Sequence, residues 1–143
     1  MIEVNPKNTK RAQCFEYFID APMPMLTAFK KIDVKSAVRL SKKGYRLNAI
    51  LCYAVLKAAE KVDEFYFVLK DKKLFRADTL NVSVVVRAKT GEFLSCEIPC
   101  AKDFETFYRD YDRLMNEVYE SGTSHEEKDG ATIGTSAVLT GSI

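Results

Sequence analysis

The chain has one histidine, His125, in 143 residues, and that scarcity narrows the chemistry open to it. A zinc site would need more than one histidine, or paired cysteines at ligand spacing. The four cysteines, Cys14, Cys52, Cys96 and Cys100, form no CxxC pair and lie scattered through apolar segments. They read as unpaired thiols in a reducing compartment, so no metal and a cytoplasmic location are expected. Excess charge of either sign is also lacking: 22 Lys and Arg nearly balance 20 Asp and Glu, for a net charge of +2, with no basic excess to suggest nucleic acid and no acidic run to suggest a solvating tail. No apolar run reaches membrane-spanning length, and the longest candidate, residues 49–59, is interrupted by Lys57, so no membrane partner is expected. Residues 1–11 are polar and lack the apolar stretch of a secretion signal. There is no internal repeat and no low-complexity segment.

What remains is a chain that is 47% hydrophobic, enough for a core, and of a length that suits one domain over residues 1–143. Residues 15–19 (FEYFI) mix aromatic and β-branched side chains and predict a short strand. The two prolines of residues 20–25 (DAPMPM) force an extended loop. Residues 26–34 (LTAFKKIDV) alternate loosely and predict a second strand, with Asp33 able to cap a helix over 35–43 that stops at Gly44. Residues 48–62 (NAILCYAVLKAAEKV) predict a buried helix capped by Asn48, with Ile50, Leu51, Ala54, Val55 and Ala58 inward.

A hairpin comes next, with strands at 65–69 and 74–76 around Lys70-Asp-Lys-Lys73. Those lysines suit a solvated turn far better than a phosphate patch. Residues 80–88 and 92–98 predict strands, and residues 103–120 an amphipathic helix with Phe104, Phe107, Tyr111, Leu114, Met115 and Val118 on one stripe. Residues 121–130 form a polar loop, and residues 131–143 (ATIGTSAVLTGSI) a strand-like end. This order implies an α/β or α+β architecture, a mixed sheet with packed helices. An apolar, β-prone end predicts a domain that is C-terminally incomplete, although an ordinary edge strand reads equally well.

Several segments in this order resemble the N-terminal part of the chloramphenicol acetyltransferase family. Phe15-Glu-Tyr-Phe18 resembles its first aromatic strand, and Lys31-Ile-Asp-Val34 the strand leading to its first helix. Residues 47–59 are similar to its long buried helix, and residues 62–69 to the turn and strand after it, with Tyr66 where an arginine is usual. Glu92-Phe-Leu-Ser95 resembles the strand lining its acceptor pocket, and Thr135-Ser-Ala137 the strand with its oxyanion serine.

The resemblance implies acetyl transfer from acetyl-CoA to a hydroxyl acceptor, a histidine general base, and homotrimers with active sites between subunits. It makes Ser136 the oxyanion donor, although an ordinary strand serine is the plainer account. It makes Tyr17, Phe18 and Phe93 acceptor-pocket aromatics, which core packing explains equally well. Pro22 and Pro24 fall in the pocket loop, Pro24 replacing a small thiol residue. Arg11 matches an arginine whose partner is an aspartate of the family's His-His-x-x-x-Asp-Gly segment, so it is expected to lack that partner here.

His125-Glu-Glu-Lys-Asp-Gly130 reproduces part of that segment, but in a charged loop before the last strand, so His125 is read as a loop residue rather than the base. Three readings compete. One is an enzyme fragment inactive as this chain, another a shortened, non-catalytic paralogue that binds or assembles. The third, a dihydrolipoyl acyltransferase core, is disfavoured by the absence of lipoyl and linker segments.

Overall fold

Strand β4 (Leu80–Arg87) is the spine of the structure, a computed structural model that describes residues 1–135. Its alternate residues Leu80, Val82, Val84 and Val86 are buried and face one side, as a period of two requires. Strand β5 (Phe93–Pro99) pairs antiparallel with it, adding Cys96 and Ile98 to the same face. Strand β6 (Ala131–Thr135) pairs parallel on its other side, with Leu80 opposite Ala131. The sheet β5-β4-β6 is therefore mixed.

Two helices cover that face. Helix α4 (Phe104–Ser121) buries Phe107, Tyr111, Leu114 and Val118, the stripe its sequence predicts. Asp103 caps it, accepting from the Thr106 amide at 2.9 Å, and Gly122 ends it in the left-handed conformation at φ 66°. Helix α3 (Leu47–Ala59) buries Ala49, Ile50, Cys52, Leu56 and Ala59. Burying one side chain such as Phe107 stabilises by about 2–3 kcal/mol.

The phase of α3 differs from expectation. Ile50 is buried, but Ala54, Val55 and Ala58 are exposed and Leu51 is half-buried. A helix apolar all round offers more than one face, so periodicity alone does not select which one packs. The sheet takes the side where Ala49, Cys52 and Ala59 are small. Asn48 is not the cap: Arg46 occupies that position, and the Asn48 amide donates to the Tyr111 hydroxyl at 3.1 Å.

The second sheet is antiparallel, in the order β1-β3-β2. Strands β2 (Phe67–Lys70) and β3 (Lys73–Arg76) form the predicted hairpin, with Asp71 and Lys72 at φ 49° and 60° in its turn. Strand β1 (Ile2–Val4) pairs with β3 inside the polar N-terminal stretch, where it is too short for any period to register.

Two predicted strands are absent. Residues 15–19 lie in or beside helix α1 (Ala12–Phe18), where the Phe15 amide donates to the Arg11 carbonyl and the Ile19 amide to the Phe15 carbonyl, each at 2.9 Å. Aromatic strand propensity yields here because no neighbouring strand offers a ladder. Residues 26–34 have no regular structure, and Leu26 and Phe29 are 96% exposed. Alternation is a strand signal only where a partner strand satisfies the backbone. Asp33 still caps the next helix, its carboxylate accepting from the Lys35 amide at 2.9 Å at the start of α2 (Lys35–Ser41), and Gly44 sits at φ 106° past its end. The α+β class, a mixed sheet with packed helices, is as the sequence implies. Among the described residues, no helix is long and apolar enough to cross a membrane.

Candidate functional site

Helix α1 sets Cys14, Phe15 and Phe18 on the side that faces Pro24–Leu26 and the β2–β3 hairpin. Between them lies a cavity of 550 Å³, whose walls include Phe15, Phe18, Met25, Leu26, Phe67 and Leu74. Its volume and mainly apolar lining suit a small, flat, partly apolar molecule. Pro24 lines it too, so two of the residues expected at an acceptor pocket, Phe18 and Pro24, come together.

The other expected aromatics are not gathered there. Tyr17 is 72% exposed, and its place in the helix, next to Phe18, turns it away from the cavity. Phe93 starts β5 opposite Arg87 and is 74% exposed.

On the polar rim of the cavity, Arg11 has a partner other than the family's aspartate: its Nε donates to Glu64 Oε1 at 2.9 Å. That hydrogen bond holds the Glu64 carboxyl below its ordinary range and raises Arg11. Glu64 stood in plain view in the sequence, but only as part of a turn. Nothing in local spacing joins it to a residue 53 positions earlier. Cys14, Phe15, Met25, Leu26, Phe67 and Leu74 were likewise not singled out as site residues. Their signal was apolarity alone, which core and pocket share.

The loop holding His125 is tied to β5. The His125 amide donates to the Ser95 carbonyl at 3.0 Å, and the Glu97 amide to the His125 carbonyl at 2.9 Å. The Glu127 amide donates to Glu97 Oε2 at 2.9 Å, while His125 Nε2 lies 3.1 Å from Glu127 Oε1. An imidazole beside a carboxylate is an arrangement that general bases use. Here the imidazole is about one-third exposed and does not line the 550 Å³ cavity. The Asp129 carbonyl accepts from the Thr79 hydroxyl at 2.6 Å, and Gly130 lies against the buried side chain of Asn81.

Ser136 lies outside the described residues. Thr135, just before it, belongs to a partly buried polar chain. Its hydroxyl donates to the Ser83 carbonyl at 2.9 Å and lies 3.6 Å from the Cys52 sulfur. That sulfur is 3.7 Å from Asn48 Oδ1, and Asn48 leads on to Tyr111. Burial pushes the Cys52 thiol up, away from thiolate character. Among the described residues, no group of three or more metal-ligating side chains comes together.

A family model described as chloramphenicol acetyltransferase matches residues 1–131. A solved structure described as a chloramphenicol acetyltransferase superposes at a TM-score of 0.70 with 24% identity, covering 79% of this chain and 54% of that one. The chain thus spans about half the length of that relative, and at this identity the likeness speaks for the fold. Ser136 falls past the end of the family match. No curated protein matches the chain.

Proposed function

Because the chain belongs to the chloramphenicol acetyltransferase family, we propose that it is a CoA-dependent O-acyltransferase domain that takes its general base from outside its own 143 residues. The carrying observation is the 550 Å³ cavity, built within the family match and walled by Phe18 and Pro24. In the proposed reaction, an acceptor hydroxyl attacks the thioester carbonyl of acetyl-CoA while a base takes the hydroxyl proton. The tetrahedral oxyanion collapses, the C–S bond breaks, and the CoA thiolate leaves and is protonated. Ser136 is the proposed oxyanion donor, since a hydroxyl can give one hydrogen bond to that oxygen. His125 is assigned no step: its ring, paired with Glu127, is partly exposed and lies away from the cavity, without the dry setting a base needs.

A homotrimer with active sites between subunits belongs to the same proposal. It gives the exposed rings of Tyr17 and Phe93 a use, as parts of an acceptor wall that one protomer alone does not close. A cytoplasmic location agrees with the unpaired thiols.

The test is a thiol-release assay with acetyl-CoA and chloramphenicol, paired with calorimetry of chloramphenicol binding. The chain alone is expected to bind the acceptor, more weakly after Phe18→Ala, and to release no thiol above background. Turnover that His125→Ala abolishes, with the circular dichroism unchanged, would overturn the assignment of the base. No binding of chloramphenicol or a related aryl alcohol would overturn the pocket. One observation favours a second reading, a shortened, non-catalytic paralogue: Glu64 already satisfies Arg11 within this chain. A coding frame that runs past Ile143 into a His-His-x-x-x-Asp-Gly segment would rule that reading out.

A further inference from the structure

Two cavities share a wall. The apolar cavity and a second one of 430 Å³ are both lined by Thr9, Arg11, Glu64 and Phe67, so the Arg11–Glu64 ion pair stands between them. The second cavity differs sharply in charge. Lys10, Lys61 and Arg76 join Arg11 on its lining, and Asp63 is the one carboxylate added to Glu64. Four cations therefore meet two carboxylates, and both carboxylates are already engaged. Glu64 holds Arg11 at 2.9 Å and Asp63 holds Arg76 at 3.4 Å. Among the described residues, neither Lys10 nor Lys61 has a carboxylate at ion-pair distance, and both side chains are exposed.

Arg76 is the best prepared of the four. Its guanidinium lies 5.4 Å from the Tyr66 ring centre and 5.8 Å from that of Phe67, two aromatic faces that attract the cation. Its contact with Asp63 is long, and that carboxylate is 76% exposed. A guanidinium with spare donors can give two parallel hydrogen bonds to a carboxylate or a phosphate. Nearby ammonium groups add charge without demanding geometry.

We propose that the 430 Å³ cavity binds a compact oxyanion with at least two negative charges, a phosphate monoester or pyrophosphate, on Arg76, Lys61 and Lys10, and that the bound anion competes with Glu64 for Arg11. Two charges are needed because the site must outcompete two carboxylates that the fold already holds in place. The competition matters because Arg11 also lines the acceptor-type cavity, so an anion on one side loosens the wall of the other. By linkage, whatever fills the apolar cavity then alters anion affinity by the same factor.

The experiment is isothermal titration of the full 143-residue chain with inorganic pyrophosphate at about 10 mM ionic strength, where screening is weak. A second arm uses adenosine 3′,5′-bisphosphate, which distinguishes a free anion from a phosphate carried on a larger ligand. One site per chain is expected in at least one arm. Lys61→Gln and Lys10→Gln should each weaken it about tenfold, the scale of one lost charge-assisted contact. Both residues are exposed and make no side-chain contact that the fold needs. Glu64→Gln should tighten binding several-fold by freeing Arg11. Lys43→Gln, an exposed lysine beyond α2, should leave it unchanged. The proposal is overturned by no binding in either arm at millimolar anion, by an equal loss in Lys43→Gln and Lys61→Gln, or by a Glu64→Gln variant with unaltered affinity.

Discussion

Replacing Gly130 with alanine tests a close approach of backbone to a buried side chain. Gly130 ends the His125–Gly130 loop and precedes β6, and its backbone lies against the side chain of Asn81. A Cβ at this position would sit 2.9 Å from Asn81 Cγ and 3.0 Å from Oδ1, and closer still to Nδ2. Ordinary contact begins near 3.4 Å, so something must move. Asn81 has little freedom to do so. It is 1% exposed, and its backbone is held on both sides, opposite Pro99 in β5 and Thr132 in β6.

Overpacking of this kind costs about 1–3 kcal/mol, which for a chain of this size lowers Tm by roughly 3–12 °C. The assay is thermal and urea unfolding of Gly130→Ala, Asn81→Ala and the double variant. Asn81→Ala removes the three atoms nearest the new methyl. It also removes Nδ2, a buried donor with no hydrogen-bond partner among the described residues. An orphaned donor costs about 1–3 kcal/mol, which offsets the packing that alanine loses, so Asn81→Ala should be close to neutral. In that background the Gly130→Ala penalty should fall below about 0.5 kcal/mol. Wild-type stability in Gly130→Ala, or a penalty that persists without the Asn81 side chain, would refute the reasoning.

Thiol chemistry should single out one cysteine. Cys14 is exposed, Cys52 and Cys96 are buried, and burial pushes Cys96 and Cys100 up to about 11. With an aromatic disulfide reagent at neutral pH, one equivalent should react fast and vanish in Cys14→Ser. A second fast equivalent would contradict the burial of the others. Acid unfolding should report the Arg11–Glu64 pair. Glu64 is depressed in the folded state, chiefly by the hydrogen bond from Arg11, so its contribution is present above its unfolded value and lost as pH falls through the lower folded one. The urea midpoint of the wild type should therefore fall more steeply below about pH 4.5 than that of Arg11→Gln. Parallel acid limbs in the two proteins would count against the pair.

The parts legible in the sequence are those whose signals are local. Helix α4 was readable from its stripe, which holds Phe107, Tyr111, Leu114 and Val118, because that period acts within one element. Strand β4 was readable from its β-branched run. Residues 15–19 and 26–34 were not, since a strand exists only with its partner, and no partner's position is written in its own residues. The phase of α3 was lost for the related reason that Ala54 and Ala58 look as apolar as Ala49 and Ala59. Of the candidate site, Phe18, Pro24 and Arg11 were visible through family likeness, whereas Glu64 became visible only when the fold brought it to Arg11. The Asp-Gly ending the His125 loop looked like part of a catalytic string. The structure gives both residues packing roles, a carbonyl for Thr79 and a space for Asn81.

The parallel pairing of β6 with β4 bears on the order of assembly. Strands β4 and β5 are joined by a short turn and can zip together while little else is in place. Strand β6 reaches its register, Leu80 opposite Ala131, only after α4 has folded back across the sheet, a closure that spans the whole of β5 and α4. Until then one edge of β4, flanked by Val82 and Val84, offers unpaired amides and carbonyls to any passing chain. The strand that seals this edge is also the last described one to be synthesised. The nascent protein therefore carries this edge open until residues 131–135 have left the ribosome.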